Sequence, residues 1–255
     1  MQVSKMFQLK SVESYMDYTY LSVSDHGKIR AHNEDSVGIF HTDFGLLVII
    51  CDGLGGGLSG EFASRISVET IHKTFVESQE SDLLKRIRKS IEKANKFVYE
   101  KSNGNLNFKG MATTCEVLLL NGVSAFWGHI GDSRIYFHKN KKLTQVTKDH
   151  SLIQKLMDEG ELAVKDFNNH PKKSVITKAI GDDQIPEIDT SKILLPNQSQ
   201  MKFFVCTDGV TCVVNDNELE NLLENEDLNE ISDNLKQLID KRGAPDNYSY
   251  AIVSN

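Results

Sequence analysis

The chain has 255 residues, 39% of them hydrophobic and 25% charged, with a net charge of −7. That length suits one large domain with an ordinary buried core, and the acidic balance argues against nucleic acid as the main partner, because a phosphate backbone needs a basic face. The longest apolar run, Phe44 to Cys51, is far short of the roughly 20 residues that cross a bilayer, and the N-terminus lacks the apolar core of a secretory signal; the expectation is a cytoplasmic protein with no membrane partner.

Residues 1–16 have weak periodicity and read as a loose arm. Residues 17–255 read as a single domain, since no repeat, low-complexity tract or Pro-rich linker divides them. Short β-type runs come first, at 18–25, 36–40 and 45–52. Two helical stretches follow. The first, 59–78, has Ser59 as its N-cap and apolar Phe62, Ile66 and Ile71. The second, 81–101, places Leu84, Ile87, Ile91, Ala94 and Val98 on one face. Strand-like runs return at 113–120, 123–131 and 133–139, and Asn121-Gly122 joins the first two as a hairpin signal. Residues 150–182 are mixed and polar. A run at 201–208, two short helical patterns and a last strand at 248–254 complete the chain. Hairpin-joined strands with helices in consecutive pairs are not the alternation of a doubly wound parallel sheet. The pattern predicts an α+β fold of antiparallel sheets covered by helix pairs.

Cys51, Cys115, Cys206 and Cys212 lie in or beside apolar runs and form no Cys-x-x-Cys pair, so they are expected as reduced, buried thiols. Neither Cys51 nor Cys206 has an arginine six positions on, as a phosphate-cradling thiolate loop requires.

Aspartates recur at strand ends. Asp52 follows "VIIC" and precedes Gly53; Asp208 follows "FFVCT" and precedes Gly209; Asp132 lies in "GDSR" and Asp246 in "GAPDN". Glu34-Asp35 precede the second strand. One such aspartate is ordinarily a turn residue or a cap. Several gathered together would repel and raise each other's pKa unless cations neutralise them. Mg²⁺ and Mn²⁺ are the natural partners of all-oxygen ligands, and neither a zinc-spaced Cys/His cluster nor His-Glu-x-x-His competes. Gly53, Gly55, Gly56 and Gly57 would let carbonyls and waters approach a cation at Asp52, or would simply form a turn before the helix. "GGGLSG" (55–60) also matches a dinucleotide-binding Gly-x-Gly-x-x-Gly, with Glu77 and Glu80 near the required distance. The match starts late after the strand, however, and its helix leads into another helix.

Taken together, eight motifs in order resemble the metal-dependent Ser/Thr protein phosphatases of the PP2C (PPM) type in their bacterial form: "GKIRAHNEDS", "CDGLGGGLSGEFAS", "GMATT", "WGHIGDSRIY", "LTQVTKDHSL", "HPKKSVITKAIG", "VCTDGVT" and "GAPDNYSYAIV", between about residues 18 and 254. The resemblance implies a four-layer αββα sandwich. It implies hydrolysis of phosphoserine and phosphothreonine by a metal-bridging hydroxide, with two Mn²⁺ or Mg²⁺ ions and a possible third. Asp52 resembles the bridging carboxylate, Gly53 the carbonyl ligand, and Asp208 and Asp246 the other ligands. Glu34 and Asp35 resemble acids that hold metal-bound waters. Arg30 resembles the phosphate-gripping arginine, against the plainer reading of a surface salt bridge. Asp132, with Asp208, resembles the third site. The implied partners are phosphorylated proteins and a Hanks-type Ser/Thr kinase, met by a monomer. A catalytically silent module and the same chemistry on another phosphoester stand as the alternatives.

Three positions depart from the family pattern. Leu54 stands where some members have a histidine, Cys212 where an aspartate is frequent, and Ser174 where an asparagine is common. Segment 147–181 corresponds to the variable flap. His129 and Trp127 read as packed strand residues, and His150 and His170 as structural or flap residues.

Overall fold

The computed structural model describes residues 12–162, 172, 174–195 and 200–255. Two antiparallel sheets stack face to face. In the first, β3 (Asp35–Thr42), β4 (Gly45–Leu54), β6 (Cys115–Leu120), β7 (Ser124–Ile130) and β10 (Asp189–Leu194) lie side by side, and the short β5 (Ala112–Thr113) pairs with β4. In the second the order is β1 (Glu13–Tyr15), β2 (Tyr18–Asp25), β12 (Tyr248–Ser254), β11 (Met201–Cys206), β8 (Arg134–Lys139) and β9 (Lys142–Gln145).

The alternation of side chains along each strand builds three cores. On β4, Leu46, Val48 and Ile50 face the other sheet, where they meet Phe203, Val205 and Ala251. Leu47, Ile49 and Cys51 face the opposite way, onto the helices α1 (Leu58–Glu77) and α2 (Leu83–Gly104). Both faces are covered, which is why "LLVIIC" is apolar at every position. On the far side, Phe204, Cys206 and Tyr250 pack under α5 (Asp216–Leu223) and α6 (Leu228–Lys241). The result is the four-layer αββα sandwich that the resemblance implied. The predicted face of α2 holds at Ile87, Ile91, Ala94 and Val98, which are fully buried, but at its start Leu83 rather than Leu84 packs against the core.

Some local expectations are corrected. Helix α1 begins at Leu58 after Gly57, with no side-chain cap, and the Ser59 hydroxyl instead donates to the Asn107 carbonyl. The end of the expected arm is a strand: Glu13–Tyr15 pair with β2, while residues 1–11 lie outside the described residues. Cys51, Cys115 and Cys206 are buried as expected, but Cys212 is exposed, its thiol donating to the Gly209 carbonyl. The dinucleotide reading fails, because β4 is antiparallel to both neighbours and α1 runs straight into α2. Trp127 and His129 are buried strand residues, as read. The flap segment is described except for 163–171 and 173, so His170 lies outside the described residues.

Candidate metal centre

One end of the sandwich collects chain turns from both sheets. Asp35 opens β3 and pairs in register with Asp52 near the end of β4. Asp132 sits in the turn between β7 and β8, and Asp208 is the first residue of α4 (Asp208–Thr211), directly after β11. Asp246 lies in the loop before β12. Asp52 and Asp208 lie near enough for the charge of Asp208 to raise the pKa of Asp52.

Close backbone approaches hold these turns together. A Cβ on Gly53 would lie 2.2 Å from the Gly60 carbonyl oxygen and 2.6 Å from that of Glu34, and the Gly53 N–H donates to the Glu34 carbonyl at 3.1 Å. A Cβ on Gly209 would lie 1.8 Å from the Asn247 carbonyl oxygen. The bare backbone at 209 is therefore what lets Asp208 come up beside Asp246. Only glycine permits such contacts.

Polar side chains finish the frame. The Thr114 hydroxyl accepts the Asp52 N–H at 2.9 Å and shares a 2.8 Å hydrogen bond with the Ser133 hydroxyl, beside Asp132. The Thr207 hydroxyl donates to Asp35 Oδ2 at 2.9 Å, bridging the two sheets. Asn247 donates to the carbonyls of His26 and His32, at 3.0 and 2.8 Å, and accepts the Glu34 N–H at 2.9 Å. That amide fixes the loop carrying Arg30. Asn247, Thr207, Thr114 and Ser133 were not singled out in the sequence, although all lie inside or beside the motifs quoted from it.

Burial raises the pKa of Asp52, Asp132 and Asp208 above the ordinary range, and their neighbours' negative charges add to it. Asp35 is pushed up to about 7 by burial and by the charges of Asp208 and Asp246, against the hydrogen bond from Thr207. Arg30 donates to Asp246 Oδ2 at 2.8 Å with its side chain about half exposed. Burial works against its charge, but Asp246, Glu34 and Asp52 outweigh that and raise its pKa. Glu34 turns aside: its Oε1 accepts the Gly57 N–H at 2.7 Å, at the start of α1. The plainer reading of Arg30 as an ion-pair partner is thus realised, but with a carboxylate of the cluster itself.

The donor set suits hard cations. Asp35 Oδ1 and Asp132 Oδ1 are buried with no hydrogen-bond partner among the described residues. Such orphaned acceptors within a group of mutually repelling carboxylates are what a cation would satisfy. Among the described residues no three His, Cys, Asp or Glu side chains are already arranged to hold one ion. Mg²⁺-type cations are held by one or two carboxylates completed by waters and carbonyls.

Comparison with known proteins bears on the family and the fold. The family model for protein phosphatase 2C matches residues 24–247. The serine/threonine phosphatase stp of Listeria welshimeri is 31% identical over 236 residues, covering 90% of this chain and 93% of its own. Among solved structures, the serine/threonine phosphatase Stp1 of Staphylococcus aureus is 28% identical, superposes with a TM-score of 0.86 and covers 98% of both chains. The catalytic domain of the phosphatase PstP in complex with two manganese ions is 27% identical, with a TM-score of 0.79, over 92% of this chain and 97% of that one. With the family model spanning most of the sequence and its carboxylates gathered at one end of the sandwich, the chain belongs to the protein phosphatase 2C family.

Proposed function

We propose that the chain is a metal-dependent phosphatase that removes phosphate from serine and threonine side chains of proteins, opposing a Hanks-type kinase. The observation that carries this reading is the convergence of Asp35, Asp52, Asp132, Asp208 and Asp246 beside an exposed arginine. A module that only binds has no physical reason to keep so many mutually repelling carboxylates together.

Asp52, the Gly53 carbonyl, Asp208 and Asp246 would hold two Mn²⁺ or Mg²⁺ ions, and Asp132 with Asp208 a third. When bound, the ions supply Lewis acidity that lowers the pKa of water and offsets the charge of the phosphoryl group. Arg30 uses one N–H on Asp246 and keeps its remaining donors for two phosphate oxygens, which its planar fork can orient. Asp35 fits the role of holding water at the centre, since its Oδ1 has no partner among the described residues. Glu34 fits that role less well and acts by fixing the Gly57 turn. Leu54 has no proton to exchange, so this side chain takes no part in protonating the leaving oxygen. The Cys212 thiol lies one helical turn beyond Asp208, where a carboxylate would have added a hard ligand, and the third site is accordingly the weakest of the three.

Substrate class is tested with matched phosphothreonine, phosphoserine and phosphotyrosine peptides at saturating Mn²⁺. Release from the first two, abolished by chelation, is the expected result. Release from phosphotyrosine alone would assign the same chemistry to another ester, and no release by folded protein would favour a silent module.

A further inference from the structure

Glu116 is an anomaly of the first sheet. It sits on β6 among apolar neighbours, is fully buried, and its Oε2 has no partner among the described residues. Directly across on β7 lies His129, also buried, whose Nδ1 meets Glu116 Oε1. The other nitrogen, Nε2, is 2.8 Å from the Lys148 carbonyl oxygen. A carbonyl can only accept, so Nε2 carries the proton and donates. His129 thus reaches out of the sheet to grip the segment just after β9.

That segment also clasps the turn bearing Asp132. The His150 N–H donates to the Gly131 carbonyl at 2.7 Å, and the Gly131 N–H donates back to His150 Nδ1 at 3.2 Å. The rings of His129 and His150 lie 4.5 Å apart. Arg134 meets Asp149 with two donors, Nε and Nη2, at 2.7–3.1 Å. His150 further accepts the Thr177 N–H on its carbonyl, tying in the returning end of the flap segment.

A buried ion pair or shared proton is a weak source of stability, since apolar residues of similar volume commonly do as well. Its value lies in fixing one geometry.

We propose that Glu116 and His129 are positioning residues, which lock the Lys148–His150 segment and through it hold Asp132 in place and root the flap. The proposal rests on the reading of Asp132 as a ligand of the weakest cation. It also assigns a use to a buried carboxylate that the proposed chemistry leaves idle.

The test is the Glu116→Leu/His129→Leu double variant, in which apolar side chains replace the pair, with Glu116→Gln as the conservative variant. Gln can still donate to Nδ1 while Nε2 donates to Lys148. Mn²⁺ titration calorimetry, kcat and KM on a phosphothreonine peptide, and thermal unfolding are measured together, with Asp132→Asn as control. The double variant is expected to remain folded and to bind its weakest Mn²⁺ roughly tenfold less tightly. Its kcat should fall about tenfold with KM nearly unchanged, and Glu116→Gln should stay within about threefold of the parent throughout. A double variant with parental Mn²⁺ affinity and kcat, whatever its melting temperature, would overturn the proposal if Asp132→Asn does lose the weak ion. If Asp132→Asn also keeps that ion, the assignment of Asp132 on which the proposal rests is what fails.

Discussion

Asn247 satisfies three backbone groups with one amide, and they belong to the loop that carries Arg30 and Glu34. Replacing it with alanine leaves those groups to find other partners. Each buried group left unsatisfied costs about 1–3 kcal/mol. Asn247→Ala is therefore expected to lower unfolding stability by about 3 kcal/mol in urea, with an unchanged m-value; a loss below about 0.5 kcal/mol would show that solvent takes over these bonds. His150 gives a pH-dependent contribution. Burial, assisted by the charge of His129, holds its pKa down at about 4, against an ordinary value of 6.5. The folded chain keeps it neutral while the unfolded chain protonates it, so the unfolded state binds more protons between those values. Stability from this group is present above about pH 6.5 and drains away as pH falls towards 4, to a total on the order of 2 kcal/mol. A His150→Gln variant should show a flatter fall of urea midpoint over that window, and parallel profiles would contradict the assignment. At this scale the sequence reveals ligands better than their supports. Asp52 and Asp208 announce themselves as carboxylates after apolar runs beside glycine. Thr207 and Asn247 do not, because their partners lie 172 and 213 residues away in the chain and hydroxyls and amides are common in turns.

Among the elements, the junction of β11 and α4 bears most directly on the centre. Its geometry depends on Gly209, whose missing Cβ leaves room for the Asn247 carbonyl. Gly209→Ala must push the loop before β12 away from α4, and so separate Asp208 from Asp246. Loss of more than about a hundredfold in kcat/KM is expected, the order of effect that a misplacement of about 1 Å in an active site can produce; near-parental activity would show that the loop yields freely. The central strands and long helices were legible because their apolar periodicity is strong: β4 and β6 are buried on both faces and α2 shows one clean stripe. The edge strands β1, β9 and β10 were not. They are short or have alternating exposed residues, and "DTSKIL" carries no period that separates it from a loop. The start of α1 was misplaced for a related reason. Ser59 is a good capping residue by type, but Gly57 supplies the turn and Ser59 finds a partner in Asn107.

For the whole molecule, the carboxylate cluster sets a balance between stability and function. The chain folds with several buried acids whose ionised forms are mutually unfavourable, and bound cations relieve that repulsion. Anything that binds the folded state alone stabilises it, by about 2.7 kcal/mol at a hundredfold excess over Kd. In a domain of this size each kcal/mol moves Tm by roughly 2–4 °C. Saturating Mn²⁺ should therefore raise the melting temperature by about 5–10 °C at neutral pH, and chelation should reverse it; an unmoved transition would mean that the cluster binds no ion. The measurement that bears most directly on the central claim is Mn²⁺-dependent phosphate release from a phosphothreonine peptide, with the parent chain beside its Asp208→Asn variant and folding of both verified by circular dichroism. The expected result is release that requires the metal and falls at least a hundredfold in the variant. Equal release by both proteins, or release that persists without any divalent ion, would contradict a metal-based phosphatase centred on these carboxylates.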